Sequence, residues 1–535
     1  MRKIGLVPVT ALWLAACVTP KKTVDTTVTH AASDTSPQTQ SPYYDWFNEN
    51  GLSDSIPGIG TDAAYRLLKE KKPREVIAAV IDDGLDINHV DLIGKIWTNT
   101  AEIPNNGKDD DHNGYIDDVH GWNFLGNAQG QIVDKDTDEL TRLYRRYNAV
   151  FAGESEGEIP ASKKYAFELY QRVKKEFDQK RAAAKVKQRE LSLLAAVYQK
   201  ADSTVRQALG KADYSIRDLE GDTTDNAVLQ RSEMMLVQLK KNGFSPAALK
   251  AAQRHFEDEL QYHYNPSYQA YESTVGTRNP HGNPIVFAPH PDHGTHVSGI
   301  IAANRHNGIG IKGIADNVKI MPIRAVPDGD ERDENVAAAI RYAVDNGAKI
   351  INMSFGKRYS PQKGLVDAAV KAAMRHGVLI IHAAGNDAVD LDSVAYYPNA
   401  DYADGGMAKN WITVGASGQG RDRALAAHFS NYSHDRVDVF APGVNILSTV
   451  SNNRYEALSG TSMASPMVTG MAAVIWGYFP KLTASQVRDI ILKSVNQPGS
   501  GKTQPQTVNF KRLCRTGGIA NLCRAVQLAE KMSKR

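Results

Sequence analysis

The chain is 535 residues long, 42% hydrophobic and 23% charged, an ordinary globular composition with more sequence than one typical domain needs. Its 63 basic and 60 acidic residues leave a formal net charge of +3. That balance excludes the concentrated positive field of a nucleic-acid-binding protein.

Met1-Arg2-Lys3 and the mostly apolar residues 4–13 have the pattern of a secretory signal, too short to span a bilayer. Leu14-Ala15-Ala16-Cys17 then resembles a bacterial lipobox, in which Cys17 is lipidated and becomes the mature N-terminus. The alternative is an ordinary signal-peptidase site with an incidental Cys. Val18 is not an Asp retention signal, so the outer membrane is the expected destination. Residues 1–16 are therefore read as a lipoprotein signal peptide. Residues 17–42, rich in Thr, Ser, Pro, Gln and Lys, are read as a flexible tether. The expected setting is the bacterial cell envelope, periplasmic or surface-facing, with the lipid bilayer as a partner through Cys17.

Residues 76–81, Val-Ile-Ala-Ala-Val-Ile, end in Asp82-Asp83-Gly84 and read as a buried parallel strand. The stretch from Asp109 to Asp118 sets oxygen ligands Asp109, Asp111, Asn113 and Asp117 at positions 1, 3, 5 and 9 of an EF-hand-type calcium loop, with Gly114 at position 6 and Ile116 at position 8. His120 stands at position 12 instead of a bidentate Glu, so another residue must complete the shell. The alternative is an acidic, Asx-rich turn.

Residues 132–278 are mostly charged and helically periodic, with Leu169, Val173 and Phe177 continued by Leu191, Leu194 and Tyr198. Pro160 opens this helix and Gly210 follows it; a second helix spans about 225–241, and Ser245-Pro246 opens a third. An antiparallel helical insertion is expected, serving as structural packing, as a lid on a cleft or as a docking arm for a partner.

Further apolar runs at 319–326, 349–354, 378–384 and 411–416 alternate with helical segments at 334–346, 365–376, 482–495 and 520–532. That alternation predicts an α/β protein with a mostly parallel sheet between helix layers. His293 opens a helix whose small residues allow close packing. The run 378–384 is followed by Gly385-Asn386, and Gly460-Thr461-Ser462-Met463-Ala464-Ser465-Pro466 places a Ser at the N-terminus of an apolar helix. Cys514 and Cys523 are read as either a disulfide or unpaired thiols.

The order Asp82, His293, Ser462, with these surrounding residues, resembles the subtilisin-like serine proteases, the subtilases. The resemblance implies a three-layer subtilisin-like sandwich and a serine endopeptidase acting on proteins or peptides. Ser462 would be its nucleophile, His293 its base and Asp82 the residue orienting the base. Asn386 would donate to the oxyanion. Ser354, Phe355 and Gly356 would form one substrate wall and Gly329 the other, pairing with an extended chain. Tyr397-Pro398 matches a step often cis in the family, and Tyr396 falls near the specificity pocket. The family has a small Ser or Thr where this chain has Asp83, so Asp83 is the less favoured triad acid. Asp91 and Asn307 resemble ligands of a family calcium site, making structural Ca2+ the expected cofactor, and His296 is expected to be a packed structural residue. On this reading residues 43–131 and 279–535 are the two parts of the catalytic domain. The competing readings are a catalytically silent subtilase-fold binding module and a metallohydrolase using the histidines.

Overall fold

The computed structural model describes residues 45–49, 58–220, 225–276, 282–420, 425–498, 502–503 and 508–534; the expected signal peptide, Cys17 and the expected tether lie outside them. The strands are β1 (Val76–Asp82), β2 (Trp122–Asn123), β3 (Val318–Arg324), β4 (Ile350–Met353), β5 (Leu379–Ala383), β6 (Trp411–Ser417), β7 (Val439–Pro442), β8 (Ile446–Val450), β9 (Arg454–Leu458), β10 (Val495–Asn496), β11 (Lys502–Thr503), β12 (Val508–Asn509) and β13 (Ile519–Ala520). One sheet runs β10-β13-β7-β6-β5-β4-β1-β3-β2, while β8–β9 and β11–β12 are separate pairs. Every pairing in the large sheet is parallel except β10–β13.

The helices are α1 (Thr61–Leu68), α2 (Glu139–Phe151), α3 (Lys164–Leu209), α4 (Ile216–Glu220), α5 (Ala227–Lys241), α6 (Pro246–Asp258), α7 (Ala270–Thr274), α8 (Asp292–Ala302), α9 (Asp333–Asp345), α10 (Lys363–Arg375), α11 (Thr461–Tyr478), α12 (Ala484–Lys493) and α13 (Leu522–Ser533). Two cores sandwich the sheet because strand side chains alternate faces. In β1, Ala78 and Val80 join Val297, Ile300 and Met467 of α8 and α11, whereas Ala79 and Ile81 join Ile340 and Val370 of α9 and α10. Both faces are covered, which is why these strands read as unbroken apolar runs. The result is the three-layer α/β sandwich that the alternation predicts. Chain order reverses at β1, which lies between β3 and β4, and in such sheets ligands bind beyond the carboxyl ends at that reversal.

The segment between β2 and β3 carries the helical array α2–α7. Its 46-residue α3 is about 70 Å long at the α-helical rise, starts just after Pro160 and stops at left-handed Gly210. Ser245 caps α6 by accepting from the Ala248 amide. One apolar cluster, with Leu140, Leu143, Val173 and Phe177, joins α3 to α2; a separate one, with Ala201, Val205, Leu229 and Leu236, joins its far end to α5. Cys514 is buried, and it and Cys523 are free thiols, so the disulfide alternative is set aside. Among the described residues no helix is long and apolar enough to cross a membrane.

Candidate active site

Asp82 ends β1 and His293 lies in the first turn of α8. Their side chains meet, His293 Nδ1 to Asp82 Oδ1, at 2.6 Å. A carboxylate only accepts, so Nδ1 carries the proton in this bond. Asp82 is 2% exposed. Gly294 lets the helix approach: a Cβ there would overlap the Gly84 carbonyl and stand 3.1 Å from Asp82 Cβ. Asp83 has a separate task. Its Oδ1 accepts from Gly294 N at 2.8 Å and its Oδ2 from His293 N at 3.3 Å, so it caps the helix that presents the histidine. Burial first, then the adjacent Asp82 charge, push the Asp83 carboxyl up to about 7.

Ser462 occupies the first turn of α11. Its Oγ donates to the Ser354 carbonyl at 3.0 Å, and Ser354 Oγ donates back to the Ser462 carbonyl at 3.0 Å. The second bond is possible because Pro466, inside the helix, has no N–H to offer the carbonyl four residues earlier. The register Ile81↔Met353 between β1 and β4, extended by one residue, sets Ser354 beside Asp82, one strand spacing of about 4.8 Å away. The nucleophile candidate and the Asp82–His293 pair thus share one end of the sheet.

Asn386 follows β5. Its Oδ1 accepts from both the amide and the hydroxyl of Thr461, each at 2.9 Å, so the amide nitrogen Nδ2 is turned outward. A methyl built on Gly460 would sit 3.4 Å from that Nδ2 and 3.6 Å from Ser462 N. Both donors therefore border one small space beside the serine, and Ser462 N is a first-turn amide with no intrahelical acceptor. Asn431 braces this loop. Fully buried, it donates to the Ala384 carbonyl at 2.9 Å and accepts from the amides of Asp387 and Val389 at 3.0 and 3.1 Å. Nothing in its local sequence marked it.

Ser354, Phe355 and Gly356 run on from β4, and buried His382 donates from Nε2 to the Phe355 carbonyl at 2.8 Å. Burial holds the His382 imidazole down to about 4, hence neutral. Tyr396 fills the slot between this segment and the Asn386 loop. Its hydroxyl donates to the Gly356 carbonyl at 3.1 Å. A Cβ on Gly356 would overlap its ring, and one on Gly385 would stand 2.7 Å from Cζ. The Tyr397-Pro398 bond is cis. A cavity of about 340 Å3 beyond Tyr396, lined by His382, Trp411 and Arg488 among others, touches none of Asp82, His293 and Ser462 and is not the cleft. Gly329, at φ 136°, lies in the loop after β3 on the far side of β1 from Ser354.

The acidic loop differs in detail from the expected ligand set. Carboxylate oxygens of Asp109, Asp111 and Glu102 come within 4.8 Å of one another. Asn113 adjoins them, its Nδ2 donating to Asp111 at 3.1 Å. Asp117 turns away, accepting from the amides of Asn106 and Gly107 at 3.0 and 2.9 Å. Glu102, seven residues upstream of the motif, takes the vacant place in the acidic cluster and was missed because it lies outside the loop's spacing. Asp91 and Asn307 do meet, with Asn307 Nδ2 donating to Asp91 Oδ1 at 2.8 Å. Asp91 Oδ2 accepts from Ile311 N at 2.9 Å. Both Asp91 oxygens thus accept from N–H donors. His296 is buried, and its Nε2 donates to the carbonyls of Ile446 and Glu456, both at 3.0 Å. Burial pulls it down to about 3, so it is a neutral packed residue.

The sequence is similar to those of known proteins. A stretch of 185 residues is 44% identical to the "Thermophilic serine proteinase" of Bacillus sp. (strain AK1), covering 34% of this chain and 42% of that protein. Over 209 residues the chain is 36% identical to "Subtilisin BL" of Lederbergia lenta, covering 39% of this chain and 71% of that one. It spans 53% of the "Thermostable alkaline protease" of Halalkalibacterium halodurans, at 38% identity over 39% of its own length. The chain thus spans less than two thirds of the first of these relatives. The subtilase family model matches residues 74–512, a span holding Asp82, His293, Asn386 and Ser462, and the chain belongs to the subtilase family.

Proposed function

We propose that the protein is a serine endopeptidase that cleaves extended protein or peptide chains through an acyl-enzyme. The observation that carries this is the 2.6 Å bond from His293 to Asp82 at the sheet end where Ser462 heads α11. With substrate bound, the Ser462 hydroxyl turns from the Ser354 carbonyl to His293 Nε2, gives up its proton and attacks the scissile carbonyl. His293 passes that proton to the leaving amine, and Asp82 stabilises the imidazolium. The oxyanion takes the space between Asn386 Nδ2 and Ser462 N. Such preorganised donors are worth about a hundred- to a thousand-fold in turnover each.

Substrate occupies the gap left where β1 stops. Residues after β3 and β4 continue past Asp82 on either side, about two strand spacings, or roughly 10 Å, apart. An extended chain fits there as a middle strand between Gly329 and Ser354–Gly356, paired through its backbone. Tyr396 closes the pocket beside the oxyanion space, which favours a small side chain on the acyl residue.

The donor set of Glu102, Asp109 and Asp111 is all oxygen, as Ca2+ prefers. These three residues would hold the ion, which supplies a structural cross-link without entering the chemistry. Lipidation at Cys17 and attachment in the bacterial envelope complete the reading; the lipobox-like sequence is their support. Residues 132–278 are read as an insertion into the catalytic domain that borders the cleft.

A fluorophosphonate probe tests the chemistry. Labelling of the protein, lost in Ser462→Ala and in His293→Ala, is expected. Folded protein that never labels is the result that favours a silent binding module. Activity lost to a zinc chelator yet kept by Ser462→Ala would instead mark a metallohydrolase.

A further inference from the structure

The helical array is rooted on both walls of the proposed cleft, and one buried ammonium joins the three parts. Lys357 immediately follows the Ser354–Gly356 wall and is 1% exposed. Its Nζ meets Glu139 Oε2 of α2 at 2.9 Å, the Glu331 carbonyl at 2.7 Å and Asp333 Oδ1 at 2.8 Å. The last two groups belong to the segment that continues from Gly329. The ammonium thus bonds to the array through Glu139 and to the opposite wall through the Glu331 carbonyl, with the Asp333 carboxylate as a second ion-pair partner there.

The array also grips the Gly329 side directly. Asp328 N donates to the Asp134 carbonyl and Asp136 N to the Asp328 carbonyl, each at 2.9 Å, so the entry to the array runs alongside the wall as an added strand. A Cβ on Gly329 would overlap the Asp136 carbonyl; only glycine allows this approach. Glu139 N donates to Asp330 Oδ2 at 2.9 Å. Arg332 forks onto fully buried Asp136 at 2.8 and 3.2 Å, and Arg142 donates to Glu139 and to the carbonyls of Asp330 and Glu331 at 2.8, 3.1 and 3.3 Å. On the other wall, Tyr359 donates its hydroxyl to Glu176 of α3.

We infer that the array's root is a clamp that sets the distance between the two substrate walls, with Glu139 and Lys357 as its positioning residues. It rests on the reading of those walls as the acyl-side binding groove. A residue inserted between two fixed edges gains both of its backbone hydrogen bonds only when the gap matches two strand spacings, about 10 Å. The clamp grips the walls at and beyond Gly356 and Gly329, away from Ser462, so it governs acyl-side positions remote from the scissile bond.

The test is equilibrium binding in a Ser462→Ala background, which needs no turnover. Acyl-side peptides of one to four residues are titrated against the full chain, with and without Glu139→Gln. With the clamp intact, affinity rises with each added residue. Glu139→Gln is expected to remove at least ten-fold of the gain from the third and fourth. Should Glu139→Gln not fold, Glu139→Gln with Lys357→Met and Asp333→Asn removes the ammonium together with both carboxylates it faces, so no buried acid is left opposite a lost partner, and the same loss is expected. An unchanged length dependence, an equal loss at every length, or no binding at any length overturns the clamp. Fluorophosphonate labelling of the Ser462 protein separately reports on the protease reading, so the two can fail independently.

Discussion

Ser354 and Ser462 are joined by two hydrogen bonds of opposite sense, each 3.0 Å long. One uses a carbonyl that Pro466 has released from the α11 ladder; the other parks the reactive hydroxyl. Ser354 Oγ also meets Ser465 Oγ at 2.8 Å and accepts from Asn352 Nδ2 at 2.9 Å, so the wall is stitched to the helix that carries the nucleophile. Ser354→Ala leaves the Ser462 carbonyl and buried Asn352 without this partner. A loss of about 1–3 kcal/mol in stability is expected, read by urea unfolding, together with lower turnover. Unchanged stability would mean that water replaces the hydroxyl without loss.

Gly460 gives a sharper probe of the oxyanion space. Its φ of 168° is extended backbone that any residue adopts, and its added methyl meets no atom closer than 3.4 Å. Gly460→Ala should therefore fold normally yet crowd the space between the two donors. A fall in kcat of about a hundred-fold, comparable to Asn386→Ala, is expected. Wild-type turnover in Gly460→Ala would place the oxyanion elsewhere.

Asp83 makes stability fall as pH rises. Its folded-state pKa, about 7 against an ordinary 3.8, means the native state holds a proton that the unfolded chain has released. The contribution of this group to native stability is then fully present below about pH 4 and is lost through the window up to about pH 7, by up to about 1.4 kcal/mol per pH unit for one proton. Charges facing the group are Asp82, His293 and Arg324. Asp83→Asn keeps the shorter cap, to Gly294 N, and removes the titration. Denaturant unfolding from pH 4 to 8 should show a flatter profile for this variant; parallel profiles would contradict the assignment.

Asp82, His293 and Ser462 were legible because each sits at an element end fixed by local pattern: an apolar strand stopped by Asp-Asp-Gly, and two small-residue helix starts. Strands β1 and β3–β6 were legible for the same reason, being buried on both faces. Strands β2, β10 and β13, two residues each, are too short for any periodicity. Helix α2 hid because its buried face includes Glu139 and Arg142, whose burial is permitted by partners the fold brings from both walls, Lys357 on one and Asp330 and Glu331 on the other. Asn431 and Glu102 were invisible for a related reason: their roles depend on backbone amides that the fold delivers.

The acidic loop yields a metal prediction with an internal control. A bound ion stabilises by about 2.7 kcal/mol at a hundred times its dissociation constant. Chelation of calcium is thus expected to lower Tm of the wild type. Glu102→Gln should abolish that difference, whereas Asp117→Asn, whose carboxylate lies outside the cluster of Glu102, Asp109 and Asp111, should retain it. A chelator-insensitive wild type would reduce the loop to an Asx-rich turn.

Tyr396 should decide what the enzyme accepts next to the cleaved bond. Its ring, in contact with the Gly356 wall and the Gly385 turn, occupies the volume that an acyl-residue side chain would otherwise enter. The hydroxyl bond to the Gly356 carbonyl fixes it there, so a larger substrate side chain must displace a seated ring. Tyr396→Gly empties the slot toward the cavity of about 340 Å3 behind it. A newly buried aromatic substrate side chain gains roughly 1.5–3 kcal/mol from transfer out of water. The ratio of kcat/KM for Phe over Ala at the acyl residue should therefore rise by at least ten-fold, measured on matched tetrapeptide substrates. Tyr396→Phe keeps the ring but loses the bond that seats it, so its ratio should stay well below that of Tyr396→Gly. An unchanged ratio in Tyr396→Gly would show that the acyl side chain binds on another surface.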